Sequence, residues 1–283
     1  MSESSSTDGP PEQRHISSRL MKESLMDRDL LRRTDGDSVL SMLPYADVLK
    51  IGGQSIIDRG RDAIMPIIEE LADNIESHRM IIGVGGGTRS RHVYDLGLQL
   101  GLPTGMLAQL GGAVSEQNAH IIGALLGGYG AVRIPKDHFE ELPLYLRVGC
   151  PCVVSGMPPY GLWEQPPEVG RIPAHRTDCG VYMISEVYGT RTMIFIKDVD
   201  GLYTDDPKKN ASAEFIPRIS VSELLRRDLK DLAIERKLLE MMCNARQTKS
   251  IQIVNGLKAG NITRALNNEH VGTIIHRDQE EGE

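Results

Sequence analysis

Three segments of the chain bring glycine and formal charge to the end of an apolar run, a pattern suited to holding an anion on backbone N–H groups. The first is Leu49-Lys50-Ile51-Gly52-Gly53-Gln54-Ser55, where two glycines let phosphate oxygens approach the backbone and Lys50 adds a point charge. The second, Gly83-Val84-Gly85-Gly86-Gly87-Thr88-Arg89-Ser90-Arg91-His92, sets a glycine loop and two arginines between a strand and a helix, matching an oxyanion or phosphate cradle. The third is Ile194 to Pro207, an apolar run that empties into Lys197-Asp198-Val199-Asp200-Gly201-Leu202-Tyr203-Thr204-Asp205-Asp206-Pro207. Ahead of it, Asp178 stands at a helix start, either as a cap or as a carboxylate over the phosphate site. Each segment alone also reads as ordinary structure: a solvated strand end, a flexible turn, an Asp-Gly turn. The glycine spacing is neither GxxxxGK[ST] nor GxGxxG, which disfavours a P-loop NTPase and a dinucleotide-binding dehydrogenase.

The elements that must position these residues alternate. Strands are predicted over Val48–Ile51, Met80–Val84, Ala131–Ile134, Cys152–Ser155, from Met193, over Ile251–Val254 and over Thr273–His276. Helices are predicted over Ala63–Leu71, Ser90–Leu100, Ser115–Leu126, from Asp178, over Val221–Leu225, Glu235–Gln247 and Ile262–Leu266. Ser220 followed by Glu223 reads as a capping box. This alternation predicts an α/β fold, a three-layer α/β/α sandwich with a mostly parallel central sheet. We expect one large domain over 41–278, an N-terminal arm over 1–40 that is partly disordered or docked on a neighbouring subunit, and an acidic tail over 279–283.

Composition narrows the classes. A net charge of −7, three Phe and one Trp disfavour general nucleic-acid binding. Four cysteines, scattered and without a CxxC, fit a reducing cytoplasm rather than a disulfide scaffold. No apolar run reaches the length of about 18 residues that a membrane span needs, and no apolar signal core opens the sequence.

Lys50, the Gly85–Gly87 loop, Asp178 and Lys197-Asp198-Val199-Asp200-Gly201, in that order, resemble the amino acid kinase superfamily and its uridylate kinase branch. The likeness runs from about Val48 to Ile275. It implies catalytic roles for Lys50, Asp178 and Lys197, with Asp178 organising the two lysines. It further implies ATP contacts from Gly52, Gly53, Gly85, Gly86, Gly87, Asp200, Gly201, Tyr203, Asp206 and Pro207, and Mg²⁺ carried on the phosphates. Longer stretches resemble the molybdenum storage protein family: Val48 to Gly60, Ser155 to Tyr160, Val254 to Leu257, Gly260 to Leu266 and Glu269 to Thr273, with an analogue of Met26 to Leu30 in the arm.

The acceptor side separates the two resemblances. Uridylate kinases carry an Asp on the loop before Gly-Met-Leu-Ala, where this chain has Pro103-Thr104-Gly105-Met106-Leu107-Ala108. One storage subunit carries a His run after Pro-Pro-Tyr, where this chain continues Gly161-Leu162-Trp163-Glu164. The storage resemblance implies ATP hydrolysis that fills a closed cage with molybdate or tungstate as polyoxometalate, in a homo- or hetero-hexamer with a homologous subunit. Arg89, Arg91, His138 and His175 are the candidates for the oxyanion or acceptor side, with Lys136 and Arg133 assisting, against ordinary surface or core roles. A uridylate kinase and a catalytically silent partner subunit are the alternatives.

Overall fold

The computed structural model describes residues 39–159, 164–165, 171–205, 210 and 212–278. The expected arm through residue 38, Tyr160, Asp206, Pro207 and the acidic tail lie outside them.

The strands are β1 (Ala46–Ile51), β2 (Arg79–Val84), β3 (Val132–Ile134), β4 (Cys152–Ser155), β5 (Thr192–Lys197), β6 (Leu202–Tyr203), β7 (Phe215–Ile216), β8 (Arg218–Ser220), β9 (Ser250–Asn255) and β10 (Thr273–His276). The helices are α1 (Arg61–Asp73), α2 (Thr88–Gln99), α3 (Thr104–Gly127), α4 (Leu142–Arg147), α5 (Thr177–Tyr188), α6 (Val221–Arg227), α7 (Arg236–Cys243) and α8 (Asn261–Leu266). Eight strands form one sheet in the order β3-β4-β2-β1-β5-β9-β10-β8. All neighbours are parallel except β9 and β10, so β10 and its parallel partner β8 run against the rest. A separate β6–β7 hairpin is antiparallel.

Period two along the strands builds the layers. On β1, Ala46 and Val48 face a core shared with α4, α5, α6 and α7, while Leu49 and Ile51 face a second core shared with α1, α3 and α8. On β5, Met193 and Phe195 join the first core, and Ile194 and Ile196 the second. Strands covered on both faces need such continuous apolar runs. The result is the predicted three-layer sandwich with a mostly parallel sheet.

Some boundaries differ from the sequence reading. The helix expected to begin at Ser115 begins at Thr104. The Gly111-Gly112 pair weakens the local helix signal, but a Cβ on Gly111 would overlap Tyr94 of α2, so the glycine serves a close helix–helix crossing. The helix expected over Glu235–Gln247 stops at Cys243, and the Glu186 carboxylate accepts the N–H groups of Arg246, Gln247 and Thr248 beyond it. The capping box at Ser220 is half formed: its hydroxyl accepts from Glu223 N, whereas the Glu223 carboxylate turns to Arg226 and Arg227. Helix α4 and strands β6, β7 and β8 had no periodic signal long enough to read.

Candidate active site

The glycine turns and the lysines collect at the carboxyl ends of β1, β2 and β5. Strand order reverses at β1, with β2 on one side and β5 on the other, and a crevice at such a switch point is where open α/β sheets bind ligands. The cleft there holds about 640 Å³.

Strand alternation aims both lysines the same way. Lys50 follows Ala46 and Val48 at period two, and Lys197 follows Met193 and Phe195, so each side chain projects onto the face covered by α5. Glycine lets that helix come close: a Cβ on Gly83 would overlap Val181, and one on Gly180 would overlap Gly156 O. Asp178, in the first turn of α5, meets both lysines. Lys50 Nζ is 2.6 Å from Asp178 Oδ1, and Lys197 Nζ is 3.1 Å from Oδ2. All three side chains are buried. Burial alone would raise the Asp178 pKa, but the Lys197 and Lys50 ammonium groups override it and hold the carboxyl below its usual range. Burial pulls Lys197 down to about 8, with Asp178 opposing and Lys50 reinforcing the fall.

The two glycine turns pack backbone against backbone. A Cβ on Gly53 would overlap Gly87 N, and one on Gly85 would stand 2.7 Å from Gly53 N and 3.1 Å from Lys50 Nζ. Gly87 takes φ +73°, which favours glycine, and Asp58 accepts the next N–H, that of Thr88, at 2.6 Å. Gly52 and Gly53, Gly86 and Gly87, and Lys50, Asp178 and Lys197 all line the cleft, while Gly85 braces it from behind.

Of the residues after β5, Asp198 and Val199 line the cleft, whereas the predicted site residues Asp200, Gly201 and Tyr203 lie outside its lining. Asp198 is paired with Arg59. Asp200 accepts from Asn255 Nδ2 at 2.9 Å and from Lys258 at 2.7 Å; the Lys258 bond first, then the Asn255 bond, lowers its pKa. Gly201 has φ +147°, and the following N–H, Leu202, donates to Thr273 Oγ1. Tyr203 packs edge-on to Phe215 with ring centroids 5.5 Å apart.

The acceptor-side candidates separate. Arg91 lines the cleft. Arg89 instead turns to Gln117 and Asn118 of α3. His138 pairs with Glu141 on an exposed 3-10 turn, outside the cleft. His175 is also outside the lining, its Nδ1 3.2 Å from the buried Glu164. Arg133 is paired with Glu116. Lys136 lines a different, smaller recess.

Several cleft residues carried no signal in the sequence. Glu235 accepts three N–H groups at the start of α5, those of Arg176, Asp178 and Cys179. Arg176 leaves its buried Nε without a hydrogen-bond partner, 3.8 Å from Glu235. Ser90 Oγ is likewise buried and unpartnered on the cleft wall. Burial pushes the Tyr94 phenol up to about 12.

The pattern of the amino acid kinase family matches residues 48–139 and 153–255. The chain belongs to that family. It is 46% identical over 256 residues to the molybdenum storage protein subunit beta of Azotobacter vinelandii, covering 90% of this chain and 95% of the relative. It is 30% identical over 241 residues to the uridylate kinase of Thermofilum pendens, covering 81% and 96% of the two chains. The solved uridylate kinase of Archaeoglobus fulgidus has the same fold, with a TM-score of 0.64 at 22% identity over 81% of this chain and 99% of that one. In this amino acid kinase family member, the turn before Gly105-Met106-Leu107-Ala108 presents Pro103 as the cap of α3 and a buried Thr104, with no carboxylate.

Proposed function

We propose that the protein stores molybdate or tungstate as polyoxometalate clusters inside a closed oligomeric cage, with ATP hydrolysis driving the loading. The observation that carries this reading is the 46% identity to a molybdenum storage protein subunit over 90% of the chain. The cleft chemistry agrees with an ATP-using step. Phosphoryl transfer depends on positioned positive charge and N–H donors more than on covalent chemistry.

Lys50 and Lys197 are held by Asp178 before any ligand arrives, so their charge is oriented without reorganisation at the moment of transfer. The Gly53, Gly86 and Gly87 backbones supply N–H donors to the phosphates, the Gly52 N–H being bonded to Ile196 O, and Arg91 and Arg176 supply positive charge on the cleft wall. Asp200, Gly201 and Tyr203, which lie beyond the cleft lining, are assigned to the nucleoside end by resemblance. Asp206 and Pro207 are assigned there by resemblance.

The cleft carboxylates do not form a cage for Mg²⁺. Asp178 is committed to two lysines, Asp198 to Arg59, Glu235 to three N–H groups, and Asp95 accepts from Gln99 Nε2 on its own helix. Among the described residues, no cluster of three or more His, Cys, Asp or Glu is placed to hold a metal ion. A Mg²⁺ ion in this cleft would therefore ride on ATP phosphates and water.

Assembly with a homologous subunit is supported by the same relative, whose name is that of a subunit, and the proposed assembly is a homo- or hetero-hexamer. No helix among the described residues is long and apolar enough to cross a membrane. The four scattered cysteines, all free thiols, fit a reducing compartment, and on that ground we assign the cage to the cytoplasm.

The deciding experiment loads the purified protein with molybdate or tungstate, with and without ATP, and measures bound metal by elemental analysis. Many metal atoms per subunit, dependent on ATP, are expected. Absence of bound metal under every condition overturns the storage reading. The second reading, a uridylate kinase, is favoured by the 30% identity to one, and predicts ADP release that depends on added UMP. Hydrolysis unaffected by UMP excludes it. Testing the chain alone and with a co-purifying homologue identifies a silent partner subunit by its failure to turn ATP over unaided.

A further inference from the structure

At the opposite end of the strands a second recess of about 340 Å³ is lined by three arginines, Arg79, Arg147 and Arg191, together with Tyr45 and Glu76. It lies at the amino ends of β1, β2 and β5, whereas the glycine cleft lies at their carboxyl ends. Six residues of strand separate the two, roughly 20 Å.

The arginines are held from behind. Arg191 Nε and Nη2 grip the fully buried Asp47 carboxylate at 2.9 and 2.6 Å, and Thr192 Oγ1 donates to the same carboxylate at 2.7 Å. This leaves Arg191 Nη1 without a protein acceptor among the described residues. Arg79 Nη1 reaches the carbonyls of Ile75 and Glu76 after α1, and its Nε and Nη2 have no hydrogen-bond acceptor among the described residues. Arg147, at the exposed end of α4, has no partner among the described residues.

Three guanidinium groups thus converge on one recess whose lining contains a single carboxylate, the exposed Glu76. Asp47 is spent on the inner edge of Arg191. Like charges brought together repel, and planar guanidinium forks with free N–H edges match the oxygens of a small oxyanion. We infer that this recess is a second anion site, taking a tetrahedral oxyanion of the phosphate or molybdate class. It is separate from the ATP cleft and independent of the storage reading.

Isothermal titration of the full chain with inorganic phosphate, and separately with molybdate, tests the site. Saturable binding of either oxyanion is expected, weakening with added salt, and the tighter of the two identifies the class. In Arg147→Ser, which removes an unpaired surface cation, the dissociation constant should rise by about tenfold. Arg226→Ser, which breaks an exposed pair with Glu223 on α6, should leave it unchanged. No saturable binding by either oxyanion, or binding that Arg147→Ser does not alter, overturns the inference.

Discussion

Asp178 and Glu235 cap each other's helices. The Asp178 N–H donates to Glu235 Oε1 at 3.1 Å, and the Glu235 N–H donates to Asp178 Oδ2 at 3.2 Å. One residue sits in the first turn of α5 and the other is the N-cap residue of α7. The reciprocal pair ties the carboxylate that orders the two lysines to a second helix 57 positions later.

Removing Glu235 therefore frees buried donors at the start of α5. Glu235→Ala should cost about 1–2 kcal/mol of stability. It should lower ATP turnover more than nucleotide affinity, because Asp178 loses its backbone support. Glu235→Gln keeps one carbonyl acceptor and should fall between the two. Urea unfolding paired with steady-state kinetics measures both effects; an Ala variant with native stability and turnover would discard the capping argument.

Asp178→Asn leaves two buried ammonium groups facing each other without a counter-charge. Breaking a buried ion pair in this way costs about 3–5 kcal/mol. Adding Lys50→Met in the same chain removes one of the uncompensated charges and should recover part of that loss, giving a positive coupling in a double-mutant cycle. ATP hydrolysis should fall by about two to three orders of magnitude in either variant. Equal stability of the single and double variants would refute charge repulsion as the cause.

Much of this site was legible because its parts are local. Apolar runs ending in Lys-Ile-Gly-Gly, Val-Gly-Gly-Gly and Lys-Asp-Val-Asp-Gly mark strand ends directly, and their order along the chain carries the family resemblance. Period two even determines that Lys50 and Lys197 project to the side of α5. The partners of those residues were not legible. Nothing near Glu235 signals that its carboxylate returns to α5, and nothing near Arg89 signals that it turns to α3 while Arg91 lines the cleft. His138 and His175 illustrate the same limit: residue type nominated both, but each is held by a nearby carboxylate outside the cleft. Length misled at α3, where two glycines concealed eleven helical residues, Thr104 to Val114.

Glycine substitutions separate close approach from mere turn chemistry. Gly53→Ala would drive a methyl into Gly87 N and within 2.7 Å of its Cα, both backbone atoms that cannot rotate away. The two phosphate-facing turns must then part, and ATP affinity should fall by about tenfold or more with little change elsewhere. Gly127→Ala, at the end of α3 with nothing within 4 Å, should leave ATP binding unchanged. It should also stabilise the chain by roughly 0.5–1 kcal/mol by restoring helix propensity. Nucleotide titration and thermal unfolding of both variants give the comparison.

The ion cluster also sets a pH dependence. Burial, reinforced by Lys50 and opposed by Asp178, brings Lys197 in the folded protein down to about 8 from an ordinary 10.5. Between those values the unfolded chain binds a proton that the native state lacks, so this group's contribution to stability increases with pH across that window. Asp178 acts with the same sign in a lower window. Its folded pKa lies below the ordinary 3.8, so its stabilising contribution is complete above that value and is lost as pH falls beneath it. Function follows the lysine charge. Above about pH 8 the free protein loses a phosphate-facing cation, so kcat/KM for ATP should decline from there, while kcat declines only at higher pH because bound phosphate holds the proton on. Lys197→Arg, which stays charged, should lower the rate at neutral pH but remove the step. A wild-type kcat/KM that stays flat from about pH 7 to 9.5 would show that Lys197 does not face the reacting phosphates.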